Sequence, residues 1–202
     1  MGDLFPERIE TDRLVLEALR TDTVDPLIYY EYASAEHADE VTTHLPWDPH
    51  DQPKESLDAI RDAEEAREAD EHAEYVVRPR ESGEGVGEFV GTTGIYPKWD
   101  RRTATFGVWL RPMFWGRGYS GERAAAMIGL AFDRLDLDLV AVAHMDGNEK
   151  SRRAVEKYVE RFGGQYEGLL RNFQVNDDGT IVDMHRYTIT SDQYENATEG
   201  IP

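Results

Sequence analysis

Alternating and helical spacings of apolar residues divide the chain into strands and helices. Residues 13–19, Arg-Leu-Val-Leu-Glu-Ala-Leu, read as a first strand, Thr21-Asp22 as a helix start, and 24–34 as a short helix. Two prolines break 41–49, a predicted loop that carries His44 and Trp47. An amphipathic helix is predicted over 54–69, with Leu57, Ile60, Ala63 and Ala66 inward. Strands follow at 74–80, 87–96 and 103–110, separated by turn-rich residues, and their spacing suits an antiparallel meander. A further helix places Ala124, Met127, Ile128, Ala131 and Leu135 on one face, and 137–144 is a continuously apolar strand, too buried for an edge. Asn148 caps a helix over 150–162 that turns Ala154, Val155, Tyr158, Val159 and Phe162 inward and stops at Gly163-Gly164. Two last strands, 165–174 and 181–190, meet at Asn176-Asp177-Asp178-Gly179, a strong turn signal. The sum is an α/β (α+β) chain with a mixed, mostly antiparallel sheet of about seven strands, one domain over 1–190, and a loose tail over 191–202.

Composition narrows the partners. The chain has 202 residues, enough for one substantial core, and 41 acidic against 22 basic residues give a net charge of −19. That balance argues against nucleic acid or an anionic membrane as partner. Lysine occurs only at Lys54, Lys98, Lys150 and Lys157, and the acidic, lysine-poor balance resembles cytosolic proteins of extreme halophiles. In molar salt the Debye length falls to about 3 Å, so a surface of this kind is largely screened. Absence of cysteine excludes disulfides, thiolate metal sites and a cysteine relay. The six histidines show no H-E-x-x-H spacing, so no metal is expected. Met1 to Pro6 lack a basic-then-apolar leader, and no apolar run reaches membrane-spanning length, so a cytoplasmic location is expected.

The chemistry concentrates in Trp109-Leu110-Arg111-Pro112-Met113-Phe114-Trp115-Gly116-Arg117-Gly118-Tyr119-Ser120-Gly121-Glu122, which runs from a strand end through a glycine-rich loop into a helix. Gly116, Gly118 and Gly121 free the backbone of side chains, and a helix N-terminus directs unpaired N–H groups at the loop. Such a cradle binds phosphate oxygens through backbone donors, with Arg117 as a helper. The same letters spell G-x-G-x-x-G at 116–121, with Asp146 near the acidic position of a dinucleotide site, so a dinucleotide-binding oxidoreductase stands as an alternative.

Thr11-Asp12-Arg13-Leu14-Val15-Leu16, Gly107-Val108-Trp109-Leu110 through Trp115-Gly116-Arg117-Gly118-Tyr119-Ser120, and Asn148-Glu149-Lys150-Ser151 resemble the GNAT superfamily of acetyl-CoA-dependent N-acetyltransferases, and within it the RimJ/RimL-like branch. The resemblance spans nearly the whole chain. It implies a GNAT-like acyl-CoA N-acyltransferase fold with a splayed strand pair, acetyl-CoA as cosubstrate, and a primary amine as acceptor. The backbone of 115–120 would hold the CoA pyrophosphate, although Trp115 and Ser120 depart from the general Q/R-x-x-G-x-G/A pattern. A backbone N–H among Val108, Trp109 and Leu110 would face the thioester carbonyl as its oxyanion develops. RimL-like relatives are often dimeric, which leaves a homodimer open.

The acid and base follow less directly. Many relatives carry a tyrosine acid where this chain has Val155, whereas RimL-like relatives carry a serine, matched by Ser151. A carboxylate common on the fourth strand is replaced by Thr105, which leaves Glu88 on the preceding strand and His144 at the end of the central strand as base candidates. His44 and Trp47 are candidates for the amine's pocket, with Trp47 as loop anchor the competing reading. Deprotonating a lysine-type amine at pH 7 costs roughly 4.6 kcal/mol, against about 1 kcal/mol for an α-amine. A sparsely equipped site therefore favours α-amines. Loss of the usual acid and base also leaves open a catalytically silent acyl-CoA sensor.

Overall fold

The computed structural model describes residues 3–34, 43–80 and 87–199. Strands β1 (Arg8–Glu10), β2 (Leu14–Ala18), β3 (Ala73–Pro79), β4 (Gly91–Lys98), β5 (Thr103–Leu110), β6 (Leu139–Met145), β7 (Gln165–Val175) and β8 (Ile181–Thr190) form one sheet in the order β1-β2-β3-β4-β5-β6-β8-β7. Every neighbouring pair is antiparallel except β5 and β6, which run parallel. Eight strands rather than about seven result because Arg8–Glu10 pairs with β2, a strand too short to leave a periodic signal.

Helices α1 (Pro26–Ala33), α2 (Pro53–Glu68), α3 (Tyr119–Gly129), α4 (Glu149–Arg161) and α5 (Ser191–Thr198) flank the sheet. The larger core joins Leu14, Leu16, Tyr75 and Val77 of the sheet to Met127 and Ile128 of α3 and Val155 and Val159 of α4. A second core sets Tyr29 and Ala33 of α1 and Ile60 and Ala63 of α2 against Val76 and Trp109. The sheet therefore separates α3 and α4 from α1 and α2. Alternation along β5 serves both cores: Ala104 and Leu110 belong to the first, and Trp109 to the second.

Two expectations are corrected. Residues 191–198 are a helix rather than a loose tail: the Thr190 hydroxyl accepts from Gln193 N–H, and Gln193 Oε1 accepts from Thr190 N–H, a reciprocal capping box. Tyr194 then packs on Phe132 and Phe162, which anchors the helix to the core. The strand expected from residue 87 begins at Gly91. Gly91 has φ +150°, and a Cβ there would fall 2.1 Å from the Trp109 carbonyl oxygen, so a backbone irregularity that requires glycine marks the start of the strand, while the Val90 N–H still donates to the Val77 carbonyl.

Candidate active site

Pairing between β5 and β6 stops at Thr105 with Ala141, yet β5 continues to Leu110 and β6 to Met145. The two strands diverge and open a cleft of about 2430 Å³, larger than the roughly 300–1,000 Å³ that holds a drug-sized ligand. Val108, Trp109 and Leu110 line its β5 wall, and the edge of β5 facing the split has no ladder partner there among the described residues. Backbone donors on that edge are available to a ligand.

The glycine loop closes one end. Phe114 is buried, and the Trp115 indole N–H donates to the Leu110 carbonyl at 2.7 Å, folding the loop back on the strand end. Gly116 and Gly118 have φ of +76° and +81°, and a Cβ at Gly116 or Gly121 would meet nothing within 4 Å. Gly118 is the N-cap of α3 and supplies no side-chain cap, while Tyr119, Ser120 and Gly121 line the cleft. An uncapped helix end behind side-chain-free loop residues fits a diphosphate. Arg13 holds the loop in shape: its Nη1 donates to the Arg117 carbonyl at 2.9 Å, and its Nε donates to Glu122 Oε2 at 2.7 Å. Glu122 also accepts from the Thr11 hydroxyl and the Arg13 N–H. Burial pushes the Glu122 carboxyl up, but these donors outweigh it and leave the group below the ordinary carboxylate range.

The opposite wall is the start of α4. Asn148 Oδ1 accepts from Ser151 N–H at 2.9 Å and caps the helix, with Ser151 half-buried at the cleft surface. Lys150 Nζ lies 4.1 Å from the Trp115 ring centroid, bringing the two walls together. Three of the four lysines, Lys98, Lys150 and Lys157, line the cleft of this strongly acidic chain, as do Arg153 and Arg161. The lining thus carries more positive than negative side chains, which favours a polyanionic ligand. On the side of α1 and α2, His44 lines the cleft, and the Asp177 N–H at the β7–β8 turn donates to the Pro46 carbonyl at 2.9 Å.

A sequence model of the acetyltransferase (GNAT) domain matches residues 13–158. The chain belongs to the GNAT acetyltransferase family. Among curated proteins no match is found. Of the solved structures, Mycobacterium smegmatis RimJ in complex with CoA-disulfide superposes with a TM-score of 0.79 at 18% identity, covering 100% of this chain and 97% of that one. A GCN5-related N-acetyltransferase from Brucella melitensis gives 0.78 at 20% identity, covering 98% and 85%. The Microcin C7 self-immunity acetyltransferase MccE, in complex with acetyl-CoA and AMP, gives 0.74 at 16% identity, covering 93% and 98%. At these identities the likeness is one of fold.

Family membership and the meander overturn the dinucleotide alternative. The strand before the glycines pairs antiparallel with β4, and Asp146 is bonded to His185. Of this acetyltransferase's expected site residues, the structure gathers Val108 to Leu110, Trp115, Gly116, Gly118 to Ser120, Asn148, Ser151, His144 and His44 around the cleft. Arg117 lies in the loop with its guanidinium carbon 5.2 Å from the Phe114 ring centroid. Glu88 is exposed and precedes β4, which begins at Gly91, so it is not on a strand as expected, and it is not part of the cleft wall. Trp47 packs edge-on against Trp109 at 5.9 Å and beside His50, which makes it the loop's anchor rather than a wall. His144 donates from Nδ1 to the Met145 carbonyl at 2.9 Å and has Nε2 3.4 Å from the Tyr187 hydroxyl, so protein groups face both nitrogens. Burial lowers its pKa. Among the described residues no helix is long and apolar enough to cross a membrane, and no group of three His, Cys, Asp or Glu could hold a metal.

Sequence reasoning missed Arg13 and Glu122 as the clamp on the loop. Their signal was the spacing in Thr11-Asp12-Arg13-Leu14, whose partner lies 109 residues away. It also missed Arg123, a buried guanidinium that donates to Thr93 Oγ1 at 3.3 Å beside Tyr158.

Proposed function

We propose that this GNAT enzyme transfers the acetyl group of acetyl-CoA directly to a primary amine, with protein N-terminal α-amines as the favoured acceptors. The observation that carries the reading is the coincidence of the β5–β6 split with the uncapped glycine loop at one of its ends. In this reading the amides of residues 116–120 hold the diphosphate, and the lysines and arginines of the lining draw in the remaining phosphate charge. A β5 amide among residues 108–110 receives the carbonyl oxygen as it becomes an oxyanion. Ser151, at the first turn of α4, stands by the departing sulfur, whose thiol needs little acid because it titrates near about 8.5. The amine enters from the α1 and α2 side, past His44.

The resemblance of the glycine loop and of Asn148-Glu149-Lys150-Ser151 to the RimJ/RimL-like branch favours an acceptor of that kind. So does the lower cost of freeing an α-amine. The test is thiol release from acetyl-CoA in the presence of peptides with free N-termini, free amino acids and polyamines, with products identified by mass spectrometry. Acetylated peptide N-termini are expected. Faster acetylation of polyamines or lysine side chains would overturn the acceptor assignment, and tighter binding of NAD than of CoA would overturn the cofactor.

A further inference from the structure

The site contains a half-buried carboxyl that the chemistry above leaves unused. Glu74 of β3 stands opposite Gly94 of β4, and Gly94 opposite Gly107 of β5, so the three positions form one row across the sheet. A Cβ at Gly94 would come 2.5 Å from the Tyr96 hydroxyl oxygen, and one at Gly107 would come 3.3 Å from it. The row is clear of side chains where the Tyr96 hydroxyl lies, and that hydroxyl donates to Glu74 Oε1 at 2.9 Å. Tyr96 and Gly107 both line the cleft. Residue 107 lies just past Thr105, the last β5 residue paired to β6, and immediately before Val108. The phenol therefore sits at the apex of the split, on the Trp109 face of the sheet from which the amine approaches.

Around this pair the charges are few. Tyr96 faces Glu74 from β4, His72 from the turn before β3, and Tyr29 from α1. The His72 ring lies 5.0 Å from that of Tyr96, and no lysine or arginine pairs with Glu74 among the described residues. Burial pushes the Glu74 carboxyl up, against the opposing influence of Tyr96 and His72, and burial likewise pushes the Tyr96 phenol up. A raised carboxyl suits a base working near neutral pH.

We propose that Tyr96, backed by Glu74, is the route by which the acceptor ammonium loses its proton; the proposal rests on the acyltransferase reading of the cleft. The ammonium N–H gives its proton to Tyr96 Oη while the phenolic proton moves to Glu74 Oε1. The phenol thus carries no net charge, which its burial would penalise. The freed nitrogen lone pair then forms the bond to the thioester carbonyl carbon. As the adduct collapses the C–S bond breaks, its electron pair leaves on sulfur, and the second N–H proton ends on the CoA thiol. Glu74 returns its proton to solvent.

The test is the pH dependence of kcat for wild type, Tyr96→Phe and Glu74→Gln, with CoA affinity measured on each. Wild-type kcat should fall as pH drops through the raised Glu74 pKa. Both variants should lose about 10²-fold in kcat near neutrality. Their rates should climb with pH toward the amine's own pKa, where free amine no longer needs the relay, and CoA affinity should stay within about threefold of wild type. Variants that keep wild-type kcat, or that keep its acid limb on a reduced rate, overturn the relay. If Tyr96→Phe fails to fold, Glu74→Gln carries the same outcomes. An inactive wild type with every amine would instead sink the acyltransferase reading.

Discussion

Single residues decide whether the glycine loop can hold an anion. Gly118 sits at φ +81°, where a β-branched side chain is strained, and its Cβ would come 3.3 Å from the Arg13 guanidinium. Gly118→Val is expected to weaken CoA binding by more than about tenfold, read by calorimetric titration. Near-normal affinity would place the phosphates elsewhere. Arg13→Ala removes the donor to the Arg117 carbonyl while leaving the amides in place, so a smaller loss of about 1 kcal/mol in CoA binding is expected. Ser151→Ala should lower kcat with CoA affinity little changed; an unaltered turnover number on a confirmed amine would reduce Ser151 to a first-turn helix residue.

Elements are joined across the chain by a few polar contacts. Glu122 ties α3 to the β1–β2 turn through Thr11 and Arg13, and its carboxyl is held below the ordinary range. A depressed folded-state pKa means this stabilisation is fully present above the unfolded carboxylate pKa, about 4.3, and is lost as pH falls through the lower folded value. Glu122→Gln should therefore cost stability at pH 7 and progressively less in acid, checked by denaturant melts at both pH values. Equal losses throughout would mean the charge is not what matters. At the other end of the chain, Thr190→Ala removes the capping-box hydroxyl of α5 and should cost about 1 kcal/mol in the same melts.

For the molecule as a whole, a net charge of −19 opposes compaction in dilute buffer, and the cleft gathers three of four lysines against that background. Raising salt from about 0.1 M to 1 M shortens the Debye length from roughly 10 Å to 3 Å, so thermal stability should rise while CoA association slows. Scanning calorimetry and stopped-flow binding would check both; a salt-independent Tm would show that self-repulsion is not limiting. Local pattern determined most of the fold. Thr103–Leu110, Ile181–Thr190 and the Asn148 cap were legible because alternation, turn residues and caps act between near neighbours in sequence. The glycine loop was legible for the same reason, since its conformation requires residues without Cβ. The tertiary structure alone decided the rest. It set Glu74, Gly94, Gly107 and Tyr96 in one row, docked Glu122 on Arg13, withdrew Glu88 from the site, and packed residues 191–198 as a helix. Those placements depend on strand register and on contacts between residues far apart in the chain, which no local spacing encodes.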